Sequence, residues 1–155
     1  MFAQQLDELA RYRGTVQDIL LRLSPGIDPH THAKTTTGTL DSKFGFSIET
    51  GAAETAIRRA LKSSGLNLVG AHFHLGSPIF ELEPYSIAID TALNLASGFK
   101  DQGFKLQEFS PGGGFAIGYV REQPPPDIGD YAEVITATTS RRCADLGLGE
   151  PRLVI

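Results

Sequence analysis

Two spacings of apolar residues alternate along the chain, and each predicts a different element. Residues 3–12 (AQQLDELARY) place Leu6, Leu9 and Ala10 at helical intervals, although no good N-cap residue precedes them. Residues 18–24 (DILLRLS) form a short apolar run stopped by Pro25-Gly26, which predicts a buried strand. A long polar loop follows, from about 27 to 47. Residues 49–63 (ETGAAETAIRRALKS) predict a helix with Ala53, Ile57, Ala60 and Leu61 on one face and Gly65 near its C-cap.

Residues 66–75 (LNLVGAHFHL) predict a second strand, and successive side chains of a strand point to opposite faces. Val69, Ala71, Phe73 and Leu75 then share an apolar face suited to covering helices, while Gly70, His72 and His74 share the other. A helix is expected from about Pro84 to Gly103, with Ile89, Leu93, Ala96 and Phe99 or Lys100 at helical intervals. Residues 105–109 (KLQEF) read as a third strand running straight into Ser-Pro-Gly-Gly-Gly. The triple proline at 124–126 reads as a surface linker, 127–146 as a helix closed by Gly147, and 152–155 as the opening of a fourth strand.

The order α-βα-βα-βα-β implies parallel strands joined by helical crossovers. Repeats of roughly 40 residues suit either a doubly wound sheet or a (β/α)8 barrel, whose second strand face would be the lumen. The chain opens within a helical pattern and stops inside an apolar strand, so both ends read as cuts, because domain boundaries usually fall in exposed linkers. A partial barrel would leave strand edges unpaired and is expected to be poorly soluble.

Composition narrows the class without choosing a function. The 155 residues are 41% hydrophobic and 21% charged, ordinary for a globular domain. A net charge of −4 without a Lys/Arg cluster argues against a nucleic-acid partner. One cysteine makes no intramolecular disulfide, and the apolar runs are far short of a membrane span. The expectation is a cytoplasmic protein with no membrane partner.

Four segments carry candidate chemistry. The strand 66–75 ends in His74-Leu-Gly-Ser77, which puts an imidazole and a hydroxyl at the C-terminal mouth of a parallel sheet, where such folds bind ligands. Alone, two histidines on a strand are more often structural groups or metal ligands. Gly112, Gly113 and Gly114 directly follow a strand, and consecutive glycines expose N–H groups and admit a phosphate. Alone, such a triplet is usually a tight turn. One βα unit after His-x-Gly-Ser, it suggests two adjacent strand ends sharing one phosphate. The loop around Asp41-Ser-Lys43-Phe-Gly-Phe46 mixes a charge pair with two aromatics around a glycine, as at a site mouth, although a solvated loop has the same composition. Residues 150–155 show only a turn and a strand.

Together these segments resemble the diaminopimelate decarboxylases. The resemblance rests on Gly26-Ile-Asp-Pro-His30-Thr-His32, Thr37-Gly38, Asp41-Ser-Lys-Phe-Gly-Phe46, His72-x-His74-x-Gly76-Ser77 and the glycine triplet, in order and approximate spacing over 17–155. The 26–46 loop is its most specific part; the other two elements are shared with ornithine and arginine decarboxylases. Departures are Pro78 after Ser77, where Gln is common, and Phe115-Ala116 after the triplet, where Leu-Gly is more usual.

The resemblance implies a partial (β/α)8 barrel of about four parallel strands, truncated at both ends, that binds pyridoxal 5′-phosphate. It implies that His74 stacks on the pyridine ring, that Ser77 and the amides of Gly112, Gly113 and Gly114 hold the phosphate, and that Lys43 to Gly45 border the cavity. It further implies that the Schiff-base lysine lies upstream, so no catalytic residue is assigned here. A Glu-Pro-Gly-Arg motif and a C-terminal β-domain would lie downstream, and the intact parent would be a homodimer converting meso-diaminopimelate to L-lysine and CO2. Cys143, on a helix, is not the family's C-terminal cysteine. Rival readings are a related decarboxylase acting on arginine, ornithine or carboxynorspermidine, a metal-dependent barrel hydrolase using His30, His32, His72 and His74, and a non-catalytic cofactor-binding homologue.

Overall fold

A computed structural model describes residues 2–27, 44–118 and 124–155. Its sheet is parallel throughout, in the order β2-β1-β3-β4-β5, formed by β1 (Gln17–Ser24), β2 (Phe46–Ser47), β3 (Leu66–Phe73), β4 (Glu108–Ser110) and β5 (Arg152–Leu153). The helices are α1 (Phe2–Tyr12), α2 (Ala52–Leu61), α3 (Glu83–Ser97) and α4 (Ile128–Leu146), with a 3-10 turn at Lys100–Gln102. Four strands lie where the apolar pattern places them. The fifth, β2, falls inside the expected 27–47 loop; two residues are too short to show a period, and only pairing with Leu23 and Ser24 makes them a strand.

Register sorts the side chains into two faces. Leu21, Ala71, Phe109 and Leu153 are aligned across four strands on the helical side, with Leu23 beside Phe73 in the next row. Phe73 and Phe109, both fully buried, meet edge to face at 5.8 Å, a favoured aromatic geometry. Ala53, Ile57 and Ala60 of α2 and Ala88, Ile89, Ala92, Leu93 and Ala96 of α3 close over this face. Phe99, not Lys100, continues the buried stripe.

Strict alternation fails at one place. Ile19 pairs with Leu68 but Leu20 pairs with Gly70, so β3 carries one extra residue, Val69, opposite β1. Such a bulge shifts the pleat by one. Leu68, rather than Val69, therefore joins Ala71 and Phe73 in the core cluster. Gly70, next to the bulge, allows very close approach by β4: a Cβ there would lie 1.8 Å from the Glu108 carbonyl oxygen.

Helix α1 departs from the expected packing. Ala10 is buried, whereas Leu6 and Leu9 are 39% and 50% exposed. Polar contacts anchor it instead. The Asp7 carboxylate accepts from the Ser63 hydroxyl at 2.5 Å and from the Gly65 amide at 3.0 Å. Helix α4 starts with a reciprocal capping box between Asp127 and Asp130 and ends at Gly147 in the left-handed conformation.

Two outcomes follow from these contacts. Gly70→Ala should destabilise the chain by about 2–3 kcal/mol in urea denaturation, since the overpacked atom meets backbone rather than a movable side chain. The Ser63 hydrogen bond, aided by the Gly65 amide and by Arg11 and Arg59, holds the Asp7 carboxyl below its usual 3.8 against a smaller opposing effect of desolvation. A depressed folded pKa gives stability that is present above the unfolded value and lost as pH falls through the folded one. Wild type should therefore lose stability below pH 3.8, and Asp7→Asn should flatten that part of the profile.

Candidate functional site

Opposite the helices, the sheet carries a second set of aligned residues. Arg22, His72 and Ser110 occupy one register row across β1, β3 and β4, and Leu20, Gly70, Glu108 and Arg152 the row before it. In the first of these rows the His72 ring Nδ1 and the Ser110 hydroxyl are 3.0 Å apart, and in the second Arg152 pairs with Glu108. The Arg22 guanidinium lies over the Phe44 ring, 5.0 Å from its centre. Burial first, then the charge of Arg22, pushes the His72 imidazole below its usual 6.5.

The row leads to the strand ends, where β3 and β4 come into contact. A Cβ on Gly112 would sit 2.6 Å from the Phe73 carbonyl oxygen and 3.0 Å from the His74 ring. One on Gly114 would sit 1.9 Å from the Gly76 carbonyl oxygen. Gly112 and Gly114 have φ of +72° and +93°, so both need the left-handed region as well as the space. The Ile79 amide donates to the Gly114 carbonyl at 2.8 Å, tying the segment after Ser77 to the triplet. His74 and Ser77 are both exposed at this end.

The triplet is built to present donors. Gly112 and Gly114 both take the left-handed region, and turns with left-handed residues can direct successive N–H groups into one concavity. Among the described residues, no hydrogen bond uses the N–H of Gly113, Gly114 or Phe115. A Cβ on Gly113 would meet nothing within 4 Å, so this side of the loop is open. An anionic group such as a phosphate fits this donor set.

Of the residues singled out from sequence, His74, Ser77, Gly112, Gly113 and Gly114 are therefore grouped around two adjoining strand ends. Lys43, His30 and His32 lie outside the described residues. Among the described residues, no group of three His, Cys, Asp or Glu is placed to hold a metal ion, and His72 is engaged with Ser110. No helix among them is long and apolar enough to cross a membrane. A groove of about 910 Å³ between α1 and α2, over Ile19 and Leu21, lies on the helical side of the sheet and shares no residue with the strand-end site.

Sequence reasoning missed the support behind the loop. Tyr85 of α3 donates its hydroxyl to the Gly113 carbonyl at 2.9 Å. Tyr131 of α4 donates to the Ile79 carbonyl at 2.5 Å and accepts from the Ala116 amide at 3.3 Å. The one available signal was a tyrosine standing where the helical pattern calls for an apolar residue, since a buried phenol needs a partner.

The geometry makes two checks possible. Gly114→Ala should lose about 2–3 kcal/mol through strain and overlap, whereas Gly113→Ala should change stability by no more than about 1 kcal/mol, both by urea denaturation. In an NMR titration His72 should protonate below 6.5, and Arg22→Leu should raise its pKa while burial keeps it depressed. Because the folded state then binds fewer protons, His72 makes the chain less stable as pH falls through 6.5.

Comparison with known proteins agrees with this arrangement. A family model described as "Pyridoxal-dependent decarboxylase, pyridoxal binding domain" matches residues 2–155. A diaminopimelate decarboxylase of Corynebacterium efficiens is 37% identical over 97% of this chain and 33% of its own length. One from Halalkalibacterium halodurans is 33% identical over 97% of this chain and 34% of its own. A crystal structure of diaminopimelate decarboxylase from M. jannaschii with L-lysine superposes with a TM-score of 0.82 at 30% identity, over 95% of this chain and 33% of that one. The chain thus spans about a third of the length of the relatives it matches, and its parallel strands and crossover helices are part of the barrel domain of those structures. With the family match running over essentially its whole length, the chain belongs to the pyridoxal-dependent decarboxylases, in their pyridoxal-binding domain.

Proposed function

We propose that this chain is the cofactor-gripping segment of a diaminopimelate decarboxylase, cytoplasmic and homodimeric when intact, that converts meso-diaminopimelate to L-lysine and CO2. The observation that carries the reading is the contact between the end of β3 and the glycine triplet after β4, where the Gly113 and Gly114 amides have no partner among the described residues. Relatives of that name at 33% to 37% identity and the L-lysine complex of the M. jannaschii enzyme support the substrate class.

Pyridoxal phosphate supplies the electron sink for the carbanion that remains when CO2 leaves. This chain binds and orients it. The amides of Gly112, Gly113 and Gly114 take the phosphate, with the Ser77 hydroxyl donating to the same group. His74, exposed at the end of β3, covers one face of the ring. A dianionic phosphate held by fixed backbone donors anchors the ring without using a side-chain charge.

Proton handling and the covalent attachment of the cofactor fall to other parts of the parent. Among the described residues, Lys62 ends α2, Lys100 donates to the Leu146 carbonyl and Lys105 precedes β4, so none stands at the strand ends. The purified chain should bind pyridoxal 5′-phosphate more tightly than pyridoxal, by fluorescence titration, and release no CO2 from meso-diaminopimelate. The intact parent should release CO2 from meso-diaminopimelate in preference to ornithine or arginine. Equal binding of the phosphorylated and unphosphorylated cofactor would remove the grip, and a preference for ornithine would remove the substrate.

A further inference from the structure

The peptide between Gly113 and Gly114 has a glycine on each side. Glycine enters regions of φ/ψ space closed to other residues, so this peptide has little intrinsic resistance to turning over. Its orientation matters because a trans peptide holds its C=O and N–H on opposite sides. With the Gly113 carbonyl directed at the Tyr85 hydroxyl, 2.9 Å away, the Gly114 N–H points away from α3. The next peptide is fixed in the same way, since the Gly114 carbonyl accepts from Ile79 and the Phe115 N–H points away from that segment. Ile79 supplies a backbone donor that any residue but proline would supply. Tyr85 supplies a side-chain donor, which only a residue with a polar group at that reach can supply.

Tyr85 is held firmly enough to act as a fixed donor. It is fully buried, and its ring meets Tyr131 edge to face at 5.9 Å and Phe115 at 5.9 Å, while Phe115 and Tyr131 lie 4.7 Å apart. Tyr131, also buried, bonds Ile79 in the segment after β3 and Ala116 in the segment after β4, bridging the two. Burial, with a smaller effect from Tyr131, pushes the Tyr85 phenol well above its usual 10.0, so it remains protonated at any working pH.

We propose that Tyr85 is a positioning residue for the phosphate grip: its hydroxyl locks the Gly113–Gly114 peptide so that the Gly114 amide faces the anion. The inference rests on the phosphate-binding reading above and names the group that makes the glycine loop a site rather than a flexible turn. Removing the hydroxyl leaves the ring in its slot but frees the Gly113 carbonyl. The peptide then samples the turned-over form, in which an oxygen replaces the donor. The lost bias of one hydrogen bond corresponds to about three- to tenfold in affinity.

The test compares the full chain with its Tyr85→Phe and Thr138→Val variants, titrated with inorganic phosphate and with pyridoxal 5′-phosphate while amide shifts are followed by NMR. Thr138, a buried hydroxyl 3.4 Å from that of Ser86 at the α3–α4 contact, reports what general loosening of these helices does. In wild type, phosphate should shift the Gly114 and Phe115 amides. Tyr85→Phe should keep the fold by circular dichroism, move the Gly114 amide in the free protein and bind both ligands about three- to tenfold more weakly. Thr138→Val should bind like wild type. Equal affinity in wild type and Tyr85→Phe, or the same loss in Thr138→Val, would overturn the inference and leave the phosphate site standing. A wild-type chain that binds neither ligand would sink the site and the inference together. Should Tyr85→Phe not fold, wild type still decides: phosphate must increase exchange protection of the Tyr85 hydroxyl proton, because linkage is reciprocal, and unchanged protection refutes the role.

Discussion

The contact between β3 and β4 at their C-terminal ends constrains everything around it. A Cβ at Gly70 would overlap the Glu108 carbonyl oxygen, and one at Gly114 would overlap the Gly76 carbonyl oxygen, so the two segments touch backbone to backbone at both places. Between them, in-register pairing places His72 beside Ser110 and Ala71 beside Phe109. Close approach of backbones is possible only where side chains are missing, and it brings backbone donors from one strand end up against the next. The site follows from that proximity rather than from any one functional side chain.

The same contact separates two kinds of environment within a few residues. On the helical side lie Phe73, Phe109 and the apolar faces of α2 and α3, a dry core held by dispersion and burial. On the other lie Arg22, stacked over Phe44, and two polar pairs across the strands, His72 with Ser110 and Arg152 with Glu108. The bulge at Val69 is what keeps the two sets in phase over the length of β3. Without the extra residue, Leu66 and Leu68 would lie on the face opposite Ala71 and Phe73.

Most of the architecture was legible because long apolar periods survive in the final packing. The Ala53, Ile57 and Ala60 stripe, the Ile89, Leu93, Ala96 and Phe99 stripe and the run from Ile19 to Ser24 are all buried or partly buried where their spacing put them. Local signals that depend on a distant partner were not legible. Two residues at 46 and 47 become a strand only because β1 is alongside, and the phase of β3 shifts only because β1 is one residue shorter between its pairing points. The amphipathic pattern of α1 was read correctly as a helix, but Asp7 rather than Leu6 and Leu9 settles its position.

The site shows the same division at a finer scale. His74, Ser77 and the triplet could be picked out because two features, each weak alone, follow one βα unit apart at strand ends, where parallel sheets bind ligands. Tyr85 could not, because a tyrosine in an apolar helical stripe is ordinary until its hydroxyl is known to reach another segment, and Gly113 is 28 residues away. A backbone grip is read from sequence as a shape, the run of small residues that allows it. The groups that decide which way each amide points come from helices behind the loop, and nothing in the loop's own sequence names them. The division explains why a glycine triplet alone is weak evidence for an anion site. The same three residues make a floppy turn or a preorganised cradle according to whether their carbonyls are held from behind, as those of Gly113 and Gly114 are here by Tyr85 and Ile79.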